Sequence, residues 1–103
     1  MSFGVILAPE AAKSLRRLQA HIRSDVKDAL AVHLRHEPTK VSKSRIKRLR
    51  GLSQPQFRLR VGDIRVFYDV TETAVEVLAI VEKDEAQAWL DEEGTPASGG
   101  GPG

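Results

Sequence analysis

The sequence contains no cysteine. That excludes a disulfide scaffold, a thiolate zinc site and a cysteine nucleophile, and it agrees with a reducing compartment. Aromatic residues are scarce: one tryptophan, one tyrosine and three phenylalanines. A core must therefore be aliphatic. No apolar run approaches the length of a membrane span, and no charged segment followed by an apolar one opens the chain. The expectation is a soluble, cytoplasmic protein without a membrane partner. An excess of one charge is also missing, since the formal net charge is only +2. With 103 residues there is room for one domain, which is small enough that buried area contributed by a partner would matter.

Charge is present in quantity but is segregated. Nine basic residues lie between Lys40 and Arg65, with Asp63 the only acid among them. Six acids and a single base, Lys83, lie between Glu82 and Glu93. Such separation attracts a polyanion to one region and repels it from another.

Local patterns predict the elements. Phe3 to Ala8 suits a strand. Pro9 opens a helix, where its missing N–H costs nothing, and Ala12, Leu15, Leu18 and Ile22 follow at helical spacing. A second helix beginning near Arg23 or Ser24 is expected to end before Pro38. Lys40 to Gly51 reads as a basic loop running into an irregular strand, and Ser53 to Gln56 as a turn. Phe57 to Val61 and Ile64 to Val70 alternate apolar and polar residues. Gly62-Asp63 joins them as a two-residue hairpin loop of the type II′ kind, which prefers glycine first. Ala74 to Val81 is apolar at nearly every position, as a central strand would be, and Asp84 to Glu92 looks helical. The predicted fold is α+β in the order β-α-α-β-β-β-α: an antiparallel sheet, an N-terminal helical hairpin packed on one face, and a short C-terminal helix. The domain is expected to span residues 1–93. Residues 94–103 read as a disordered Gly/Pro-rich tail.

A two-residue turn fixes the register of the hairpin. Val61 should face Ile64, Arg60 face Arg65, Leu59 face Val66, and Arg58 face Phe67. Arg58, Arg60 and Arg65 then share one face beside Phe67, while Leu59, Val66 and Tyr68 line the other. Like charges directly opposed across two strands are destabilising. Three arginines here point to an anionic partner, because guanidinium groups donate bidentately to phosphate. Phe67 is a candidate to stack on a base. Lys43, Arg45, Lys47, Arg48 and Arg50 extend the surface as candidate RNA-binding residues.

Four segments together resemble toxins of the RelE/ParE superfamily from bacterial toxin–antitoxin modules. They are the early strand with Ala8-Pro9-Glu10-Ala11-Ala12, the basic Lys47-Arg48-Leu49-Arg50-Gly51-Leu52, the hairpin Phe57 to Val70, and the strand Val77-Leu78-Ala79-Ile80-Val81. The resemblance spans roughly residues 3 to 90. It implies helices on one face of an antiparallel sheet, and either of two activities. RelE-like members cleave mRNA on the ribosome without a metal or other cofactor, the 2′-hydroxyl attacking the adjacent phosphate. ParE-like members poison DNA gyrase. Both are neutralised by a cognate antitoxin. In the first case the catalytic residues would be Arg58, Arg60, Arg65 and Lys83, and the partners the ribosome and mRNA. A third possibility is a degenerate toxin that acts only as an antitoxin-binding subunit.

One departure from the RelE pattern bears on chemistry. Gln87 occupies the place of the family's C-terminal tyrosine, with Trp89 nearby. Arginine stays protonated and cannot act as a base. Lys83, among Glu82, Asp84 and Glu85, should favour its charged form. Glu82 is the only nearby carboxylate that could accept the 2′-hydroxyl proton, and it reads first as a surface acid at a strand end. Charge stabilisation is thus well supplied and proton transfer poorly supplied.

Other residues carry less. His21, His33 and His36 read as helix-face histidines rather than metal ligands. Ser14, Ser24, Ser42 and Ser44 lie in no nucleophile elbow, and Gly51, Gly62 and Gly94 form no phosphate loop. Trp89 reads as a packing anchor.

Overall fold

A computed structural model describes residues 2–97. The chain begins with strand β1 (Gly4–Leu7), then helices α1 (Pro9–Arg17) and α2 (Ala20–Ala29), the latter running into a π-helical turn, Leu30–Leu34. Pro9 and Glu10 open α1 and Arg16 and Arg17 close it, a charge order that complements the helix dipole. The second helix begins earlier than the spacing of its apolar residues suggests. The reason is Arg23, whose Nη1 donates to the carbonyls of Arg16 (3.1 Å) and Leu18 (3.0 Å). These are carbonyls at and just beyond the end of α1, where no helical donor follows, so the link between the helices shrinks to Leu18 and Gln19.

Strands β2 (Ile46–Arg48), β3 (Leu52–Gln54), β4 (Phe57–Val61), β5 (Ile64–Val70) and β6 (Ala74–Glu82) follow. Helix α3 (Lys83–Glu93) and a two-residue strand β7 (Thr95–Pro96) complete the described chain. Five strands form one sheet in the order β1-β6-β5-β4-β2. The β6-β5-β4-β2 part is antiparallel, as the hairpins require, while β1 joins β6 in parallel. The apolar β6 is interior, between β1 and β5.

The helices α1 and α2 cover one sheet face. Ala11, Leu15, Val26 and Leu34 meet Leu59, Val66, Tyr68, Val75 and Val77 in a single aliphatic core. Tyr68 reaches through it to donate its hydroxyl proton to the Pro38 carbonyl at 2.6 Å.

Two expectations need correction. The segment Ser53–Gln56 is not only a turn, and the tail does not begin at Gly94. Leu52–Gln54 pairs with Thr95–Pro96 as a small antiparallel ribbon. The Ser53 hydroxyl also contacts the carbonyls of Thr95 (3.3 Å) and Pro96 (3.4 Å), and the Ala97 N–H donates to the Gly51 carbonyl at 3.0 Å. A low-complexity segment is ordered here by backbone pairing, which composition does not reveal. The remainder of the expected tail, residues 98–103, lies outside the described residues. No helix among the described residues is long and apolar enough to cross a membrane.

Candidate nucleic-acid interface

The hairpin carries the register its turn dictates. Gly62 has φ +57°, and among the described residues no non-glycine residue, Asp63 included, has positive φ. That combination is the type II′ turn. The pairs are Phe57 with Tyr68, Arg58 with Phe67, Leu59 with Val66, Arg60 with Arg65, and Val61 with Ile64. Side chains alternate between faces along a strand. The face bearing Leu59, Val66 and Tyr68 is buried against the helices, so the arginines lie on the other face.

The basic set becomes two rows across the sheet. In the first, Lys47 of β2 stands opposite Arg58 of β4, which stands opposite Phe67 of β5. In the second, Arg60 stands opposite Arg65. The Arg60 N–H donates to the Arg45 carbonyl at 2.8 Å, which brings Arg45 beside Arg60 at the sheet edge. Lys83 arrives at the hairpin tip because its N–H donates to the Asp63 carbonyl at 2.7 Å. Its Nζ also pairs with Asp63 Oδ1 at 3.4 Å.

These cations have little internal compensation. Among the described residues the ion pairs are Lys83 with Asp63 and Lys40 with Glu37. Asp69 shares the outer face but is committed elsewhere: Gln54 Nε2 donates to its Oδ2 at 2.6 Å and the Gln56 N–H to its Oδ1 at 2.8 Å. Its cross-strand neighbour is Glu76. The outer face is therefore graded along its strands, basic at the hairpin-tip end and acidic at the other.

Arg58 stands where its charge is disfavoured. It is partly buried, and its Nε has no hydrogen-bond partner among the described residues. Burial lowers its pKa, and the charges of Arg65 and Arg60 lower it further. An underpartnered guanidinium between like charges is a ready donor to a phosphate. Arg65 is pinned differently. Its Nη1 donates to the carbonyls of Gly62 (2.8 Å) and Ile64 (3.1 Å), which fixes the side chain at the turn.

The candidate RNA-binding residues separate. Lys47 joins the arginine rows. Arg45 sits at their edge. Arg48 does not join them: it pairs with Phe57, on the other parity of β2, and its guanidinium lies 5.0 Å over the Phe57 ring. Lys43 and Arg50 are exposed in the flanking loops. Phe67 is corrected. It is only 1% exposed and stacks on Trp89 at 5.1 Å with the rings 5° from parallel. Helix α3 lies over this part of the outer face, so the Phe67 ring is not open to a base. Trp89 is indeed a packing partner, though itself only half-buried.

Glu82 does not supply the missing base. It pairs with Ile64 across β5 and β6, which is the parity opposite to Arg65. There it borders a cleft of about 470 Å³ with Arg17, His21, Asp25 and Asp63. Gln87 is exposed on α3 and donates to Asp91 at 3.0 Å. The basic end of the outer face thus gathers donors for a phosphate and for charge developing on it, without a free proton acceptor between the rows. The direct opposition of Lys47 and Arg58 is the feature that sequence reading missed. Its signal was the alternation of Arg45 and Lys47 about the apolar Ile46.

A family model described as ParE toxin of type II toxin-antitoxin system, parDE, matches residues 5–86. The chain has no match among curated protein sequences. Among solved structures it is similar to the archaeal RelE-RelB complex from Pyrococcus horikoshii OT3, with 23% identity and a TM-score of 0.67 over 81% of this chain and 97% of that one. It is similar to the toxin-antitoxin complex RelBE2 from Mycobacterium tuberculosis, with 25% identity and a TM-score of 0.66 over 80% and 92% of the two chains. A mutant of E. coli toxin RelE in the free state shares 24% identity and a TM-score of 0.66 over 89% and 94%.

Proposed function

The chain belongs to the ParE toxin family of type II toxin–antitoxin systems, and from that premise we propose that it acts as a RelE-like, ribosome-dependent mRNA endoribonuclease that arrests translation and growth. The observation that carries this reading is the pair of rows in which Lys47 faces Arg58 and Arg60 faces Arg65 with no acid between them. In-line attack of a ribose 2′-hydroxyl on the adjacent phosphate concentrates negative charge on the phosphoryl oxygens. Arg58, Arg60 and Arg65 provide fixed donors for that charge, and Lys83 adds a cation at the hairpin tip. Lys43, Arg45, Lys47 and Arg50 hold the flanking RNA, while Arg48 stays over the Phe57 ring. The carboxylates nearest these rows are already engaged, Asp63 by Lys83 and Asp69 by Gln54 and Gln56, and a free general base contributes typically ~10²–10⁴ in rate. Cleavage is therefore slow unless the ribosome or the RNA itself supplies the acceptor.

A cognate antitoxin neutralises the protein. The uncompensated basic rows call for acids on that partner. The RelE–RelB complexes among the structural neighbours support an assembly of this kind.

The test is primer extension on mRNA undergoing translation, with and without the wild-type protein at a concentration that arrests growth. New 5′ ends within coding sequence, absent with Arg58→Gln, are expected. Arrest without new ends would sink the nuclease reading. The second reading, poisoning of DNA gyrase, draws on the ParE family match and the lack of a base. It requires trapped gyrase–DNA cleavage complexes in vitro, and unchanged supercoiling by gyrase would remove it. A chain whose expression without antitoxin is harmless would instead be a degenerate toxin that only binds its antitoxin.

A further inference from the structure

The basic surface does not stop at the hairpin. Arg45 borders two clefts. One, with Ser44, Arg60 and Gly62, leads to the hairpin tip. The other, of about 230 Å³, is lined by Val32, His33, Glu37, Lys40, Ser42, Arg45 and Ile46. Arg45 is thus shared between the arginine rows and a recess on the helical side of the sheet edge.

That recess is a held shape. Ser42 Oγ accepts the N–H groups of Arg45 (3.0 Å) and Ile46 (3.1 Å), and the Ser42 N–H donates back to the Ile46 carbonyl at 2.9 Å. Lys40 is paired with Glu37 at 3.7 Å, so the charge left without a carboxylate is that of Arg45. His33 enters from the π-helical turn Leu30–Leu34. Leu30 and Leu34 are buried, and the widened turn leaves His33 partly exposed between them and the cleft. Single π-helical turns are rare and frequently mark functional sites.

We propose that the His33–Arg45 cleft is a second phosphodiester subsite, which receives the RNA backbone one step beyond the arginine hairpin. This rests on the RNA reading above. Arg45 supplies the permanent charge and the bidentate donors. His33 supplies a conditional one. Burial, and then the charge of Arg45, hold its pKa below the usual histidine value, so the ring is neutral in the free protein at pH 7. A phosphate set against Arg45 cancels the repulsion and favours the imidazolium. The groups facing the ring in the cleft are Arg45, Lys40 and Glu37, the last two already paired with each other. RNA binding should therefore take up a proton at His33, and the subsite should tighten as pH falls from 7 toward 6.

The test is histidine ring NMR on the full chain, titrated with pH alone, with inorganic phosphate, and with a single-stranded uridine dodecamer RNA. His21 and His36, both exposed outside the cleft, are internal controls. With the dodecamer the His33 midpoint should rise by about one pH unit, the controls should move much less, and Arg45→Gln should abolish the difference. The same substitution should weaken dodecamer binding about three- to tenfold, and more at pH 6 than at pH 7.5. A His33 midpoint that follows the controls overturns the subsite, even where Arg58→Gln still lowers RNA affinity and the nuclease reading stands. A response to phosphate but none to RNA marks a free-anion site and overturns it as well. A His33 response to RNA without mRNA cleavage retains the subsite and removes the nuclease reading.

Discussion

Arg60 and Arg65 stand directly opposite one another on β4 and β5, on the outer face just behind the Gly62–Asp63 turn. Opposed like charges cost roughly 0.2–1 kcal/mol relative to a neutral pair. Among the described residues no carboxylate pairs with either, and Arg58 adds a third positive charge in the adjoining row. The face is less stable than it need be, which is the usual signature of a surface shaped for a ligand.

The stability cost is measurable. Arg60→Gln removes half of the opposed pair while sparing Arg65, whose guanidinium also braces the turn. The variant should be more stable by about 0.5 kcal/mol, a rise in Tm of roughly 2–4 °C. The gain should shrink toward zero at about 1 M salt, where the Debye length falls to ~3 Å. A variant that is less stable at low salt would show that Arg60 has a stabilising partner.

Arg58 should register in the salt dependence of RNA binding. Removing one cation that neutralises a phosphate of a single strand flattens the plot of log affinity against log salt by about 0.7. Arg58→Gln is expected to do this, and Arg48→Gln, whose guanidinium lies over Phe57 instead, to change the slope far less. Equal effects would mean that the two rows are not the contact surface.

Tyr68 sets an alkaline limit. Its buried hydroxyl donates to the Pro38 carbonyl at 2.6 Å, and burial holds its pKa above the ordinary tyrosine value. In the unfolded chain the phenol ionises near pH ~10. Above that pH the unfolded state binds fewer protons than the folded one, so stability falls as pH rises. Tyr68→Phe should cost about 1–2 kcal/mol at pH 7 by stranding the Pro38 carbonyl. It should also flatten the decline in stability between pH 9.5 and 11 in urea melts. An unaltered alkaline slope would remove Tyr68 as its source.

Trp89 is what fastens α3 to the sheet. No residue of that helix is fully buried, and the Phe67–Trp89 stack is its aromatic contact with the sheet. Such a pair contributes about 0.5–1.5 kcal/mol beyond area burial. Trp89→Ala should speed amide exchange across residues 84–93 about tenfold, leave the amides of β5 and β6 protected, and open Phe67 to solvent. Equal acceleration in β6 would mean that α3 is part of the global folding unit.

Features governed by neighbouring residues could be read from the sequence. The alternation of Phe57 to Val61 and Ile64 to Val70 assigned the buried face, because strand geometry sends successive side chains to opposite sides. Gly62 then fixed the register, since a two-residue turn with positive φ at its first position admits one pairing. The opposition of Arg60 and Arg65, with Arg58 on the same face, followed from that, while the place of Lys47 opposite Arg58 did not. Which distant segments meet is a matter of the three-dimensional fold. It put Trp89 over Phe67, turned Glu82 to the opposite side from Arg65, and tied Thr95–Pro96 to Leu52–Gln54. It brought His33 and Arg45, which are remote in the chain, to one cleft. Those contacts depend on helix docking and backbone pairing across long stretches of chain, and no local spacing encodes them. Alternation and one glycine are enough to specify a cationic hairpin; how much of that hairpin is covered, and what stands beside it, follows from the packing of elements far apart in the chain.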